Sequence, residues 1–229
     1  MTVAVNGPFT LDQARSFYSE ELRVVAGLTS ARLVSAFARV PRERYLGAPP
    51  WNFSSRAALQ AFRYRTTSQV RDLYHDVFVA LRSERFLNNR QPSLIACLIA
   101  ALNLAPGKRV FHRGYGTGYY TEIMAEMVGS TGAVVAVEID PVLADIAGTN
   151  LMDYEQVKVL HREGAEVDLP TCDAILINAG VTHPHPAWLE RLSEGGCRCP
   201  WGEVWACMTR WFWESRGEMT GLPPSFCRS

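Results

Sequence analysis

Apolar residues recur at helical spacing near the beginning of the chain, from Leu11 to Val25. Thr10 directly precedes this run, and Gln13 lies three residues after Thr10. This is the arrangement of a capping box, in which two side chains satisfy the free backbone donors of a helix start. The pattern predicts an amphipathic helix that begins after Thr10. A second helix is predicted over 30–39, and it ends before Pro41 because proline disfavours helical geometry in the preceding residue.

The next sixty residues are predicted to form a loop and two further helices. Residues 47–51 are rich in glycine and proline and predict the loop. The apolar spacing of 69–85 favours a helix, and another is predicted over 93–102 because Pro92 can occupy a first helical turn without losing a hydrogen bond. We therefore expect the first hundred residues to consist mainly of helix and loop.

The pattern changes at Lys108, where short β-rich runs begin to alternate with helical ones. Strands are predicted over 110–112, 133–139, 157–160 and 173–178. Helices are predicted between or after them, over 119–128, 141–153 and 186–192. This alternation predicts an α/β fold with a doubly wound, Rossmann-like parallel sheet and right-handed crossovers.

Length and charge fit one principal domain that has no general attraction for polyanions. The 229 residues carry a formal net charge of zero. We expect a helical N-terminal segment over 1–90 that packs on the core, an α/β core over 91–196 and a separate tail over 197–229. No basic and apolar leader and no window of about 18 apolar residues occurs, so we expect a soluble cytoplasmic protein without membrane partners.

A glycine-rich turn follows the first predicted strand of the α/β core. Gly114, Gly116 and Gly118 alternate just before a helix, where glycine permits sharp turns and close approach of the backbone to a ligand. Tight strand-to-helix turns also need glycine without any ligand. Glu138 ends the next strand twenty residues beyond Gly118, where an acidic side chain can accept hydrogen bonds from ribose hydroxyls.

Two more polar side chains follow successive predicted strands. Glu163 follows the third strand, where a carboxylate can receive the amine of adenine, and Asn178 closes the fourth. These positions converge on the crevice where open α/β sheets bind ligands. Tyr119 stands where dinucleotide folds favour a third glycine, so the spacing favours S-adenosylmethionine over a dinucleotide.

These residues resemble the protein-L-isoaspartate O-methyltransferase family and related class I S-adenosylmethionine-dependent methyltransferases. The resemblance covers roughly residues 30 to 196. It is carried by Phe37-Ala-Arg-Val-Pro-Arg-Glu-Arg-Tyr45, Gln91-Pro92, Leu104-Ala-Pro-Gly-Lys-Arg-Val110, Gly114-Tyr-Gly-Thr-Gly-Tyr119, Val137-Glu-Ile139 and Trp188-Leu-Glu-Arg-Leu-Ser-Glu-Gly-Gly196. It implies a class I methyltransferase fold, S-adenosylmethionine as the methyl donor, and a protein, peptide or small-molecule acceptor.

The resemblance and the strand ends together give a set of expected cofactor contacts. These are His112, Gly114, Tyr115, Gly116, Gly118, Tyr119, Glu138, Ile139, Glu163, Gly164 and Asn178.

Two stretches depart from the family pattern. Members usually carry Thr-Ile-Ser before the Gln-Pro or Ala-Pro step, near the isoaspartyl substrate, whereas this chain has Asn88-Asn89-Arg90. Asn89, Arg90 and Gln91 can still hydrogen-bond a carboxylate, and Asn89 and Gln91 are therefore our candidates on the acceptor side. His112 replaces an acidic residue of the first strand motif. His183 is a further candidate base for a hydroxyl or nitrogen acceptor.

Two other functions stay open at this point. A protein that binds the cofactor without turnover is favoured by the departures at 88–90 and at His112. An RNA methyltransferase is favoured by the excess of arginine over lysine, but the zero net charge and the lack of a recognisable RNA-binding module oppose it. The sequence gives no indication of the oligomeric state.

The C-terminal end has an unusual composition. Residues 197–229 hold four of the six cysteines and four of the six tryptophans, and Pro200 interrupts the region where another strand belongs. Cys197, Cys199, Cys207 and Cys227 lack the paired spacing of structural zinc, so no metal site is predicted. We expect a tail that does not continue the sheet, with a composition typical of a truncated or shifted reading frame.

Overall fold

The computed structural model describes residues 10–55, 64–85, 87–163, 170–179 and 185–197. Two helices begin this part of the chain, α1 (Leu11–Val25) and α2 (Ala31–Arg39). The capping box at Thr10 and Gln13 is confirmed, because each side chain bonds the other residue's backbone. The helices pack through Tyr18 and Phe37, whose rings meet edge to face at 6.2 Å between centroids.

The prediction of a helix over 69–85 is wrong, and the N-terminal segment contains a sheet as well as helices. Its four strands are β1 (Trp51–Ser54), β2 (Arg65–Thr67), β3 (Phe78–Arg82) and β4 (Leu87–Asn88), in the antiparallel order β2-β1-β3-β4. Short 3-10 helices occupy Val70–Leu73 and Ser83–Arg85.

The error has a physical cause in the packing of this sheet. Val70, Leu73 and Val77 follow one another at helical spacing, but they belong to one apolar cluster with Trp51 and Val79. Strand β3 forms because it pairs with β1, in which Phe53 lies opposite Val79. This partner is remote in sequence, and tertiary pairing overrides a local helical pattern.

The core of the chain is a parallel sheet preceded by helix α3 (Pro92–Ala101), in which Pro92 occupies the first turn as predicted. The five strands are β5 (Arg109–Arg113), β6 (Ala133–Glu138), β7 (Val157–His161), β8 (Cys172–Ile177) and β9 (Leu192–Cys197), in the order β7-β6-β5-β8-β9. The connecting helices are α4 (Tyr119–Val128), α5 (Pro141–Asn150) and α6 (Pro186–Leu189). The doubly wound α/β prediction is confirmed.

Helices cover both faces of the parallel sheet. Val110 and Ala136 face the large core that holds α1 to α5, whereas Phe111 and Val137 face Trp188 of α6. The polar ends of β5, β6 and β8 therefore meet at one edge between two packed layers.

Strand β9 was missed by the sequence reading, because its Gly195-Gly196 pair has low strand propensity. Of the tail predicted over 197–229, Cys197 ends β9 opposite Ala174, and the other residues lie outside the described part. Within the described ranges, no helix is long and apolar enough to cross a membrane.

Candidate functional site

The loop between β5 and α4 has left-handed backbone geometry at each of its glycines. The φ angles are +73° at Gly114, +61° at Gly116 and +102° at Gly118, which caps α4. Residues with a Cβ rarely adopt such angles. The loop can therefore bring backbone amides to the carboxyl edge of the sheet in a conformation that only glycine adopts easily.

Protein packing also demands glycine at Gly114. A Cβ on Gly114 would lie 2.9 Å from the carbonyl oxygen of Asn178, which is shorter than real Cβ contacts. One on Gly118 would lie 2.8 Å from Leu151 Cδ1, which is the end of a flexible side chain and can move. The polar groups around these glycines are the evidence for a ligand.

The N-terminal segment and helix α5 hold the loop in place. Thr117 Oγ1 donates a hydrogen bond of 2.6 Å to the carbonyl of Tyr45, and Asn150 Nδ2 donates one of 3.0 Å to the carbonyl of Thr117. The stretch around Tyr45 is the one whose sequence resembles the methyltransferase family. Its structural role is to buttress the glycine loop from outside the parallel sheet.

Glu138, at the end of β6, closes the loop from the next strand. Its Oε2 accepts from Gly116 N at 2.9 Å, and its Oε1 accepts from Ile139 N and Asp140 N at 3.0 and 3.1 Å. An ionised carboxylate offers about four acceptor positions, so one further hydrogen bond can be accepted on Oε2. This arrangement leaves room for a hydrogen bond from one ribose hydroxyl on Oε2.

Asp140 links the crevice to the N-terminal sheet. It caps α5 by accepting from Val142 N and Leu143 N, and it forms ion pairs with Arg82 and Arg85. Burial by itself raises the pKa of the Asp140 carboxyl, but the Leu143 hydrogen bond and the two guanidinium charges lower it below its usual range. These two ion pairs hold the connection between β3 and β4 next to Glu138.

Glu163 is the predicted adenine acceptor, and it forms an ion pair with Arg113 at the end of β5. The Arg113 guanidinium also lies 5.2 Å from the centre of the Trp188 ring. Glu163 has a second oxygen for another donor, but its first is engaged within the chain.

Two predicted cofactor contacts lie in the core instead of the crevice. The His112 ring is fully buried, and its Nδ1 lies 2.9 Å from Thr121 Oγ1 of α4. Burial lowers the pKa of His112 to about 3, so the ring is neutral at physiological pH. Tyr119 packs against Tyr45 and Phe37 and is buried as well. Both side chains are enclosed by other described residues, so a contact of either with the cofactor stays a prediction.

The other predicted cofactor residues lie in or next to the loop. Tyr115 is buried, and burial raises the pKa of its hydroxyl. Ile139 is 61% exposed directly after Glu138, where it can cover one face of a flat ring. Asn178 lies against Gly114, and its backbone amide donates a hydrogen bond of 2.8 Å to the carbonyl of Arg113. Gly164 and His183 lie outside the described residues.

The segment before α3 brings together the two acceptor-side candidates. Asn89 is buried, and its Oδ1 accepts from Val79 N at 2.8 Å, while its Nδ2 has no partner among the described residues. Gln91 Nε2 donates to Asp76 Oδ2 at 2.7 Å, and Asp76 also accepts from Ser93 N at 2.8 Å. Asp76 therefore holds both Gln91 and the beginning of α3.

Arg42 is a buried cation that the sequence reading did not single out. It donates to the carbonyls of Leu73 and Val77, and its guanidinium lies 5.7 Å from the ring centre of Tyr18. Arg42 could have been found from its place in the segment that resembles the family. Asp76, in contrast, was not predicted because it lies within 69–85, which was predicted to be a helix.

Comparison with known proteins gives a consistent result. The family model of protein-L-isoaspartate(D-aspartate) O-methyltransferase matches residues 19–199. Protein-L-isoaspartate O-methyltransferase 1 of Archaeoglobus fulgidus is 31% identical over 189 residues, which cover 81% of this chain and 77% of that protein. The enzyme of the same name from Methanopyrus kandleri is 30% identical, with 80% of this chain and 74% of that protein covered.

Two solved structures share the fold. A protein-L-isoaspartate O-methyltransferase superposes with a TM-score of 0.66 at 26% identity, covering 80% of this chain and 53% of that one. A Plasmodium falciparum protein assigned to the same activity, solved in complex with S-adenosyl-L-homocysteine, superposes with a TM-score of 0.59 at 19% identity, covering 80% and 81%. The described core has the Rossmann-like α/β fold of class I methyltransferases.

Proposed function

The chain belongs to the protein-L-isoaspartate(D-aspartate) O-methyltransferase family, and from this premise we propose that it is an S-adenosylmethionine-dependent methyltransferase acting on a carboxylate of a protein or peptide. The acceptor class is that named by its relatives, an isoaspartyl residue. The observation that carries the proposal is the contact between Gly116 N and Glu138 Oε2, which joins the glycine loop to the acidic strand end.

The chemistry of the crevice fits this cofactor. Glu138 would receive a ribose hydroxyl on its remaining acceptor position, and Ile139 would cover the adenine ring. Glu163 would accept the adenine amine on the oxygen that Arg113 leaves free. When bound, S-adenosylmethionine supplies a methyl group activated by its sulfonium sulfur.

The acceptor side needs alignment more than acid–base chemistry. A carboxylate is ionised at neutral pH, so its oxygen forms the new bond to the methyl carbon without losing a proton. The bound cofactor would supply the methyl group, and the electron pair of its methyl–sulfur bond would stay on the sulfur. The protein's contribution is then to hold the two reactants in line. The fixed segment at Asn89 and Gln91 is suited to that role.

A protein that binds the cofactor without turnover is the second candidate. The departures from the family pattern favour it, because Asn88-Asn89-Arg90 stands where members carry Thr-Ile-Ser near the substrate, and His112 replaces an acidic residue. The ion pair between Arg113 and Glu163 concerns cofactor affinity and not turnover. A measurement of turnover therefore distinguishes the two candidates.

The experiment is methyl transfer from labelled S-adenosylmethionine to two synthetic peptides that differ only in one residue, L-isoaspartate or L-aspartate. We expect a base-labile methyl ester on the isoaspartyl peptide and little label on its twin. Cofactor binding with label on neither peptide would favour the non-catalytic candidate. No cofactor binding at all would overturn both.

A further inference from the structure

Arg113 ends β5, and its side chain reaches across the end of the neighbouring strand. In the sheet order β7-β6-β5, strand β6 separates β5 from β7, so these two strands lie about 10 Å apart. Arg113 nevertheless forms an ion pair through Nη2 with Glu163, which follows β7. The guanidinium and the carboxylate therefore meet next to the end of β6, at the sheet edge where open α/β folds bind their ligands.

The head group of Arg113 is held by two contacts. The ring centre of Trp188 lies 5.2 Å from the guanidinium carbon, and this ring is buried and packs against Phe111 of the same strand as Arg113. Glu163 holds the guanidinium through the ion pair. A free arginine side chain has many rotamers, which these contacts restrict before any ligand binds. The position of the cation is thus set by the fold.

The ion pair leaves polar groups of both partners available. A guanidinium has five N–H donors, and in the part of the chain that the structure describes only Glu163 accepts a hydrogen bond from the Arg113 side chain. Among the same residues, none donates to the second carboxylate oxygen of Glu163. The side chains of Arg113 and Glu163 are 17% and 34% exposed. Both can therefore contact a ligand in the crevice.

A carboxylate beside a guanidinium presents a hydrogen-bond acceptor next to a donor. The Watson–Crick edge of adenine presents the complementary pair, because its 6-amino group donates and its N1 accepts. Hypoxanthine has the opposite arrangement at this edge, with an accepting O6 and an N–H at position 1. The paired side chains of Arg113 and Glu163 therefore match adenine and oppose hypoxanthine.

We propose that Arg113 donates a hydrogen bond to N1 of the cofactor's adenine and, together with Glu163, makes the site specific for that base. This inference rests on the proposed function, in which Glu163 accepts the 6-amino group, and it adds a second residue that recognises the base. Because the ion pair holds the donor and the acceptor side by side before binding, little further freedom is lost when the base binds.

The test uses two ligands that differ at one position of the base, S-adenosylhomocysteine and its 1-deaza analogue, in which C–H replaces N1. Each is titrated calorimetrically into the parent protein, Arg113→Met and Arg113→Lys. Met can still pack on Trp188 but has no donor, and Lys keeps a charge and a donor without the planar fork. Arg109→Met is the matched control, because Arg109 lies at the other end of β5 and also pairs with a carboxylate, that of Asp173.

We expect the parent to bind S-adenosylhomocysteine about tenfold or more tightly than the 1-deaza analogue, because a hydrogen bond from a charged donor is worth about that factor. In Arg113→Met this preference should fall below about twofold, with Arg113→Lys between the two and Arg109→Met equal to the parent. The ratio of the two affinities decides, because a general loss of structure would weaken both ligands equally.

A third ligand, S-inosylhomocysteine, tests the specificity for adenine, because it carries hypoxanthine in place of adenine. The parent should bind it about tenfold or more weakly than S-adenosylhomocysteine, since both hydrogen-bonding groups of the site would then face groups of their own kind. The difference should be smaller in Arg113→Met. Equal affinity of the parent for the two compounds would contradict the proposed specificity.

The outcomes separate this inference from the function on which it rests. A folded parent protein that does not bind S-adenosylhomocysteine overturns the proposed function. A parent that binds it no more tightly than the 1-deaza analogue overturns the assignment of Arg113 alone, and this comparison needs no variant. A preference that survives unchanged in Arg113→Met would also overturn the assignment, because another donor of the protein would then reach N1.

Discussion

Arg42 donates a hydrogen bond of 3.3 Å from Nη2 to Asn89 Oδ1 and so joins two segments that lie 47 residues apart in sequence. The first segment follows α2 and buttresses the glycine loop through Tyr45, and the second leads to the acceptor-side residues. A single buried guanidinium therefore connects the parts of the chain that surround the proposed reactants.

We predict that Arg42→Lys lowers the free energy of unfolding by about 2–4 kcal/mol, because lysine cannot reproduce the planar fork. The carbonyls of Leu73 and Val77 and the Asn89 oxygen would compete for one ammonium group. Urea unfolding measures the change, with Arg32→Lys on the exposed face of α2 as the control. A loss no larger than that of the control would show that Arg42 does not organise this region.

Gly114→Ala tests whether packing, in addition to backbone geometry, requires glycine in the loop. Gly47 provides the comparison, because its φ angle is +72° and a Cβ there would meet nothing within 4 Å. We expect Gly47→Ala to cost about 1 kcal/mol from backbone strain. Gly114→Ala should cost about 1–3 kcal/mol more, because its Cβ would collide with the carbonyl of Asn178. Equal losses in thermal unfolding would contradict the close packing at Gly114.

The buried His112 should make the protein sensitive to acid. Burial holds the pKa of His112 at about 3 in the folded state, whereas a histidine in the unfolded chain titrates near 6.5. Between these values the unfolded chain binds a proton that the folded one does not. The stability contribution of neutral His112 is therefore present above about pH 6.5 and is lost as the pH falls toward about 3.

His112→Gln should remove this dependence and keep a polar group beside Thr121. We expect the parent to lose about 2 kcal/mol more than the variant between pH 7 and pH 5. Denaturant unfolding at each pH measures the difference. Parallel stability profiles would mean that His112 titrates normally in the folded state and is not sealed from water.

Glu138→Gln should weaken cofactor binding about tenfold to a hundredfold, because a hydrogen bond to a charged acceptor is replaced by a neutral one. Three backbone amides also point at this carboxylate, so some loss of stability is expected. Affinity for S-adenosylhomocysteine is measured below the unfolding transition. Glu20→Gln, in an exposed pair with Arg23, is the control. Unchanged affinity in Glu138→Gln would exclude this carboxylate as a ribose contact.

The parallel sheet was predictable because its strands and helices alternate at the periods of local structure. The predicted strands of β5 to β8 fall within about a residue of the observed ones, and the predicted cap at Thr10 is observed. Glu138 and Asn178 could be placed at the sheet edge for the same reason, since the carboxyl ends of parallel strands meet there.

The remainder depends on contacts between distant segments, which local patterns do not record. Strand β3 needs β1 as its partner, and the role of Asp76 appears only once that sheet has formed. The burial of His112 could not be predicted, because a position beside the glycine loop can still face the core. Alternation along β5 shows which residues share a face, but it does not tell that the face of His112 packs against Thr121 of α4.

Calorimetric titration of the protein with S-adenosylmethionine and with S-adenosylhomocysteine tests the central claim most directly, because it reports on the crevice between Gly116 and Glu138 without assuming an acceptor. We predict saturable binding of both compounds at about one molecule per chain. Absence of binding of either compound to protein that is folded by circular dichroism would contradict the account.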